Sequence, residues 1–151
     1  MNEFDAISDP RFKRFIGLES QPISYVIKVS DIKNFTETVG DLNEIYRDRV
    51  IAKRHGLNNI ISPPTFLRTL KSRCSENNPE NLEDHLLDGG SEWEYLEPVQ
   101  SGDNITVVDK LITVSEKFGK LGHMFIWTRE FKYTNQHGKV VATHKWTRIT
   151  Y

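Results

Sequence analysis

From Asn104 to the last residue the chain offers three long β segments joined by short connections, and nothing else in it constrains the fold as much. Asn104 to Val114 is entered through the turn-forming Ser101-Gly102-Asp103. The next segment places Phe125, Trp127, Phe131 and Tyr133 on one face and Met124, Ile126 and Thr128 on the other. A period of two is what a half-buried strand requires. Asn135-Gln136-His137-Gly138 is a good hairpin turn, and a last strand runs from about Lys139 to Tyr151. Neighbouring strands with such short links run antiparallel, because a parallel return needs a crossover of about a dozen residues. A shorter strand, Gly90 to Tyr95, precedes this meander.

The first half reads differently. After a polar lead-in, Ile23, Tyr25, Ile27 and Val29 alternate with Ser24 and Lys28, which predicts one further strand. Ser30 or Asp31 is placed to cap a short helix with Ile32, Phe35 and Val39 along one face, and Gly40-Asp41 ends it. A second helix is expected from about Asp48 to His55, with Gly56 as its stop. Ser62-Pro63-Pro64-Thr65-Phe66 opens a third, since proline suits the first helical position. Phe66, Leu67, Leu70 and Cys74 would form its buried stripe, leaving Arg68, Lys71 and Arg73 toward polar surroundings. The polar stretch from Ser75 to Asp88 exceeds the usual connection at about 14 residues, and reads as a lid, a partner contact or disorder. One strand, then helices, then a meander is an α+β arrangement whose sheet can wrap the proline-initiated helix. No repeat, low-complexity segment or boundary interrupts residues 1–151, which are read as one domain.

Composition narrows the partners. A chain of 151 residues can bury a real core without disulfides or metals. Its net charge of -1 creates no field favouring nucleic acid or a membrane, and neither is expected as a partner. Cys74 is the sole cysteine, so an intrachain disulfide and a cysteine-based zinc site are both excluded. His55, His85, His123, His137 and His144 show no metal-ligand spacing, and no metal is expected. Met1-Asn2-Glu3-Phe4-Asp5 lacks the basic leader and apolar stretch of a signal peptide, and no apolar run approaches the roughly 18 residues of a membrane helix. The expected location is the cytoplasm.

Four stretches carry a resemblance. Gly40, Asp41, Asn43, Ile45, Asp48, Ala52 and Gly56 fall in register with the hydratase signature of MaoC-like proteins, Gly-Asp-x-Asn-Pro-aliphatic-His followed by Asp, Ala and Gly. Ile60-Ile61-Ser62-Pro63-Pro64-Thr65-Phe66-Leu67 is similar to the start of that superfamily's central helix. Gly89-Gly90-Ser91-Glu92-Trp93-Glu94-Tyr95, with Pro98 and Gly102-Asp103, resembles its second strand and turn. Tyr133-Thr134-Asn135-Gln136 with Gly138 resembles its last hairpin. The likeness runs from about Tyr25 onward, and its Pro-Pro-Thr-Phe and Gly-Gly-x-x-Trp-Glu-Tyr forms look most like the N-terminal-type MaoC domains. It implies a hot-dog fold, a curved antiparallel sheet around a central helix, acting on acyl thioesters. Such domains often pair with a second hot-dog domain carrying the complete Asp/His pair.

Two departures bear on the chemistry. Glu44 replaces the signature's proline, and Tyr46 stands where the resemblance places the catalytic histidine, five residues after Asp41. Histidine is a competent base near pH 7, whereas ionising a tyrosine there costs roughly 4 kcal/mol, roughly a thousandfold penalty. In the family's catalytic members a His-Gly pair opens the central helix, and the glycine N–H donates to the thioester oxygen. The matching positions here are Pro63 and Pro64, and proline has no N–H to give. The chain by itself is therefore expected to be a poor hydratase.

The other residues have plain readings beside functional ones. Asp41 and Asn43 are surviving catalytic groups or the makers of an Asx-type turn. Tyr46 is a packing residue or a ligand-lining hydroxyl rather than a proton-transfer group. Pro63, Pro64, Thr65, Gly90 and Trp93 are the candidate substrate-binding positions. Trp93, Trp127 and Trp146 line an acyl tunnel or serve as core and dimer contacts. Arg47, Lys53 and Arg54 meet coenzyme A phosphates or form a solvated helix face. Three functions follow from the resemblance and these departures. The first is a subunit of an (R)-specific enoyl-thioester hydratase or 3-hydroxyacyl-thioester dehydratase, shaping the acyl or coenzyme A tunnel while a hot-dog partner supplies Asp and His. The second is a catalytically silent acyl-thioester-binding scaffold, as a homodimer. The third is a thioesterase, for which Asp41 is not obviously in place. No cofactor is expected beyond the coenzyme A or acyl carrier protein that bears the acyl group.

Overall fold

The computed structural model describes residues 10–73 and 85–151. Five strands form one antiparallel sheet: β1 (Ile23–Val26), β2 (Leu86–Tyr95), β3 (Asn104–Gly119), β4 (Gly122–Thr134) and β5 (Val140–Thr150), in the order β1-β3-β4-β5-β2. The expected meander is β3-β4-β5. Its ladders run further than the side-chain pattern indicates, with β3 reaching Gly119 rather than Val114, and β2 starting at Leu86 rather than Gly90. Backbone pairing continues from Val114↔Trp127 to Gly119↔Gly122 although Ser115, Glu116 and Lys117 break the apolar alternation. An extra residue between Leu111 and Thr113 bulges the strand and re-aims its faces. At the β4–β5 turn, Asn135 Oδ1 accepts from the backbone N–H groups of His137 (3.0 Å) and Lys139 (3.1 Å), and Gly138 takes a φ of 74°.

Every second residue of β4 from Phe125 to Tyr133 is buried, as the alternation predicts. This face carries two apolar clusters. The larger joins Phe131, Tyr133, Ile105, Val107 and Ala142 of the sheet to Ile32, Ala52, Phe66 and Leu67. The smaller joins Leu111, Val114, Phe125 and Trp127 to Phe12. Phe12 corrects the reading of everything before Ile23 as polar lead-in. It lies on helix α1 (Pro10–Lys13), 5.3 Å from both the Phe125 and Trp127 rings, and is fully buried. With Phe15 and Ile16, which pack against the same cluster, it makes too short an apolar group for a period to stand out from the polar residues around it. Between the clusters Asp109 and Arg129 form a buried ion pair, Nε to Oδ2 at 2.7 Å.

Helix α2 (Val29–Val39) starts before the expected caps: its N-cap is Lys28, without a side-chain cap bond, while the Ser30 hydroxyl turns to Asp31. β1 ends at Val26, so Val29 opens the helix instead of the strand face; Ile27 alone continues inward. Ile32 and Thr36 are buried and Phe35 meets Phe66 edge-on at 5.6 Å, but Val39 is 54% exposed, against expectation. Val39 sits in the last turn, beyond the edge of the surface that α2 covers. Gly40 ends the helix in the left-handed region, at φ 74°. Asp48 is the N-cap of α3 (Arg49–Arg54) rather than its first residue, accepting from Val50 N at 2.6 Å.

At the expected third helix the chain makes a 3₁₀ turn, Pro64–Thr69, closed by Phe66 N→Pro63 O at 2.9 Å and Leu70 N→Leu67 O at 3.1 Å. Leu70 is already extended. Phe66, Leu67 and Leu70 are buried as expected, while Cys74 and the polar stretch up to residue 84 lie outside the described residues.

Candidate active site

The motif segment is built by its own side chains. Asp41 Oδ1 accepts from Asn43 N at 3.1 Å, and Asn43 Oδ1 accepts from Ile45 N at 3.1 Å, capping the 3₁₀ turn Glu44–Tyr46. These are the bonds of consecutive Asx turns. They occupy one oxygen of each candidate group and swing Tyr46 inward. Burial first, and the Asp41 charge second, push the Tyr46 hydroxyl above its ordinary pKa of 10.0. The cost of ionising it at pH 7 therefore rises.

Tyr46 faces a cavity of about 300 Å³ whose walls are mostly apolar: Ile61, Ser62, Pro64 and Leu67 on one side, Tyr95 to Val99 on the other. Ser62 N→Val99 O at 2.7 Å and the Ile61↔Gln100 bridge hold the two walls together. The two positions that depart from the hydratase pattern, Tyr46 and Pro64, thus line one cavity. Hydrogen-bonding side chains among its walls are the hydroxyls of Tyr46, Ser62 and Tyr95, and burial raises the pKa of Tyr95 also. Glu97, the one carboxylate among these lining residues, is engaged by Lys139. Such a lining suits an apolar chain ending in a weakly polar group.

The remaining candidates lie apart. Pro63 is buried beneath the turn and Thr65 is exposed on it. Gly90 sits at the β2 bulge with a φ of 119°, its N–H donating to Asp88 Oδ1 at 3.0 Å. Trp93 stacks on His144, with ring centroids 4.0 Å apart and planes 5° apart, and reaches the cavity only through its contact with Tyr95. Asp41 and Asn43 are not among the residues lining the cavity. Arg47 pairs with Glu37 at 2.8 Å, Trp127 is core, and Trp146 donates to Asp88 and lies under Arg68. Sequence reasoning does not single out Tyr95, Leu96, Glu97 or Val99. Their one signal is that Leu96, Pro98 and Val99 keep the chain largely apolar past a strand end, which no period explains.

Residues 14–144 match the family model described as "FAS1-like, dehydratase domain region". A relative from Thermomonospora curvata, a probable enoyl-CoA hydratase alpha subunit, is 28% identical over 143 residues, covering 83% of this chain; the chain spans 45% of that relative's length. The fold is shared with a chain of the ChsH1-ChsH2 complex of Mycobacterium tuberculosis, at a TM-score of 0.77 and 17% identity over 93% of this chain and 94% of that one. It is shared also with the HadBC 3R-hydroxyacyl-ACP dehydratase complex of the same organism, at a TM-score of 0.74 and 16% identity over 89% and 96% of the two chains. No helix among the described residues is long and apolar enough to cross a membrane. With the family match covering most of its length, the chain belongs to the FAS1-like dehydratase-region family, and its fold is the hot-dog fold that it shares with a MaoC-like dehydratase.

Proposed function

We propose that this chain is a subunit of an (R)-specific enoyl-thioester hydratase or 3-hydroxyacyl-thioester dehydratase, holding the acyl group while a second hot-dog subunit supplies the Asp/His pair. The observation that carries this is the convergence of Tyr46 and Pro64 on one apolar cavity. Hydration needs a base for water and donors for the thioester oxygen. Here the base position holds a hydroxyl that keeps its proton, and the donor position holds a residue without an N–H. What remains is a pocket shaped for the acyl chain. No cofactor enters, and the carrier is coenzyme A or acyl carrier protein. The cytoplasm is the compartment this reading assigns.

A partner is supported from the other side of the cavity wall. β2 is an edge strand, and Leu86, Leu87 and Tyr95 at its ends, with Leu96 just past it, are 54%, 41%, 43% and 51% exposed. An apolar edge with unpaired backbone groups is a template for a second sheet. The relatives reported above include a protein named as an alpha subunit and two complexes named for two components.

The test is hydration of crotonyl-CoA, followed by loss of the enone absorbance. The chain alone should show no turnover above background, and adding a hot-dog subunit with an intact Asp/His pair should restore it by several orders of magnitude. Robust turnover by the chain alone, abolished by Asp41→Asn, would overturn the proposal. Binding of acyl-CoA without turnover beside any such partner would instead make the chain a silent acyl-thioester-binding homodimer.

A further inference from the structure

The outer face of the sheet, turned away from the core, carries a row of alternating charge. Glu19 bridges to Lys110 of β3, Lys110 stands opposite Glu130 of β4, Glu130 opposite Lys145 of β5, and Lys145 opposite Glu92 of β2. Lys110 Nζ meets Glu130 Oε1 at 3.1 Å, and Glu19 also reaches Lys132, the next outward residue of β4, at 3.5 Å. Opposite charges directly across neighbouring strands attract, and like charges there repel. Acid and base thus alternate over all five positions. The row stops on an acid, at the free edge of the sheet.

That edge is acidic through its middle. Glu92 and Glu94 are exposed on β2 between its apolar ends, and the strand holds no lysine or arginine. Glu92 makes no ion pair among the described residues, and Glu94 meets the Thr143 hydroxyl at 3.5 Å.

A second copy of this chain fits poorly against such a strand. Two β2 strands that continue one sheet pair antiparallel about a two-fold axis. A slip of one residue turns a strand's faces over, so the axis must pass through a residue and not between two. At Glu92 it sets Glu92 against Glu92, at Trp93 it sets Glu92 against Glu94, and at Glu94 it sets Glu94 against Glu94. An axis at Ser91 or earlier runs into the bulge between Asp88 and Gly90, where the ladder is broken. An axis past Glu94 leaves the strand.

Resting on the proposed function, we infer that β2 selects a hot-dog partner whose edge strand carries lysine or arginine opposite Glu92 and Glu94, and selects against a second copy of this chain. Such a strand continues the alternation that the sheet already carries. The apolar ends of β2 favour association with any strand, and the two glutamates decide with which one it forms.

Sedimentation equilibrium of the full chain at ~50 mM and ~500 mM salt tests this. Wild type should self-associate weakly at the lower salt and more tightly at the higher, because salt screens the repulsion. Glu92→Gln combined with Glu94→Gln should self-associate about tenfold more tightly than wild type at the lower salt. Asp31→Asn combined with Glu44→Gln removes two acids away from β2 and should change nothing. Wild type mixed with a chain carrying Glu92→Lys and Glu94→Lys should form a mixed dimer about a hundredfold tighter than wild type forms by itself, since repulsion becomes attraction at both positions. A wild-type dimer that neither salt nor the glutamine pair alters overturns the inference. So does an equal gain from the distant pair, or a mixture that associates no more than wild type does. The proposed function fails by a different reading, turnover of crotonyl-CoA by the chain alone, so the two failures stay distinct.

Discussion

Tyr46 and His144 occupy two regions that burial treats in opposite ways. Tyr46 lies at the cavity, where burial and the Asp41 charge raise its pKa, so the hydroxyl keeps its proton. His144 lies in the sheet interior between Trp93 and Phe131, where burial first and the Arg68 charge second lower its pKa to about 4, so the imidazole refuses one. General acid–base work needs a group poised near the working pH, and both are driven away from it. The two regions also differ in how they are held. The interior is tied by the Asp109–Arg129 pair, and the Ser91 hydroxyl lies 3.0 Å from His144 Nε2. The Tyr46 hydroxyl makes no hydrogen bond within the described residues. The polar groups of the interior hold up the sheet, and the Tyr46 hydroxyl at the cavity takes no part in that.

The sharpest way to break that contrast is Arg129→Met. It leaves Asp109 buried without its cation, and a buried charge stripped of its partner costs about 3–5 kcal/mol. Urea denaturation should show a loss of that size. A loss under about 1 kcal/mol would mean the interior is as forgiving as the cavity wall.

The next test uses pH. His144 is held below its ordinary value of 6.5, so folding favours the neutral ring. Its contribution is complete above pH 6.5, is lost as pH falls from there toward about 4, and does not change further below that. His144→Phe keeps an aromatic ring against Trp93 and removes the titration. The wild-type decline in melting temperature across this window should therefore be steeper than the variant's. Parallel curves would mean that His144 is not the group that titrates.

The unequal legibility of the two regions has a physical cause. The meander was readable because Phe125, Trp127, Phe131 and Tyr133 repeat at the strand period, and period survives whatever packs above it. The motif segment was readable because Asp41, Asn43 and Asp48 build their turns and cap from neighbours two or three residues away. Phe12 was not, since its partners Phe125 and Trp127 lie more than a hundred residues on. Pro64–Thr69 reads as a longer helix in the sequence because proline at a first position marks a helical start and says nothing about length. The cavity's far wall escaped for a related reason. Tyr95 to Val99 meets Tyr46 and Pro64 only through the tertiary fold, so the positions that matter were visible while the space between them was not.

The smallest effect is the most pointed one. Tyr46→Phe removes a hydroxyl that bonds nothing among the described residues and lies at the edge of a cavity already lined by Ile61, Pro64 and Leu67. No buried partner is left unsatisfied, so stability should stay within about 0.5 kcal/mol of the wild type, the range of substitutions that break no structural feature. A structural tyrosine tied into the core would cost more than this, as removing a partner from a buried hydrogen bond costs about 1–3 kcal/mol. If the stability is unchanged while butyryl-CoA binds a fewfold less tightly, the hydroxyl belongs to the ligand, and the contrast with His144 is one of function as well as of protonation. If both stay unchanged, Tyr46 contributes only its ring, and the cavity recognises the acyl chain by shape alone.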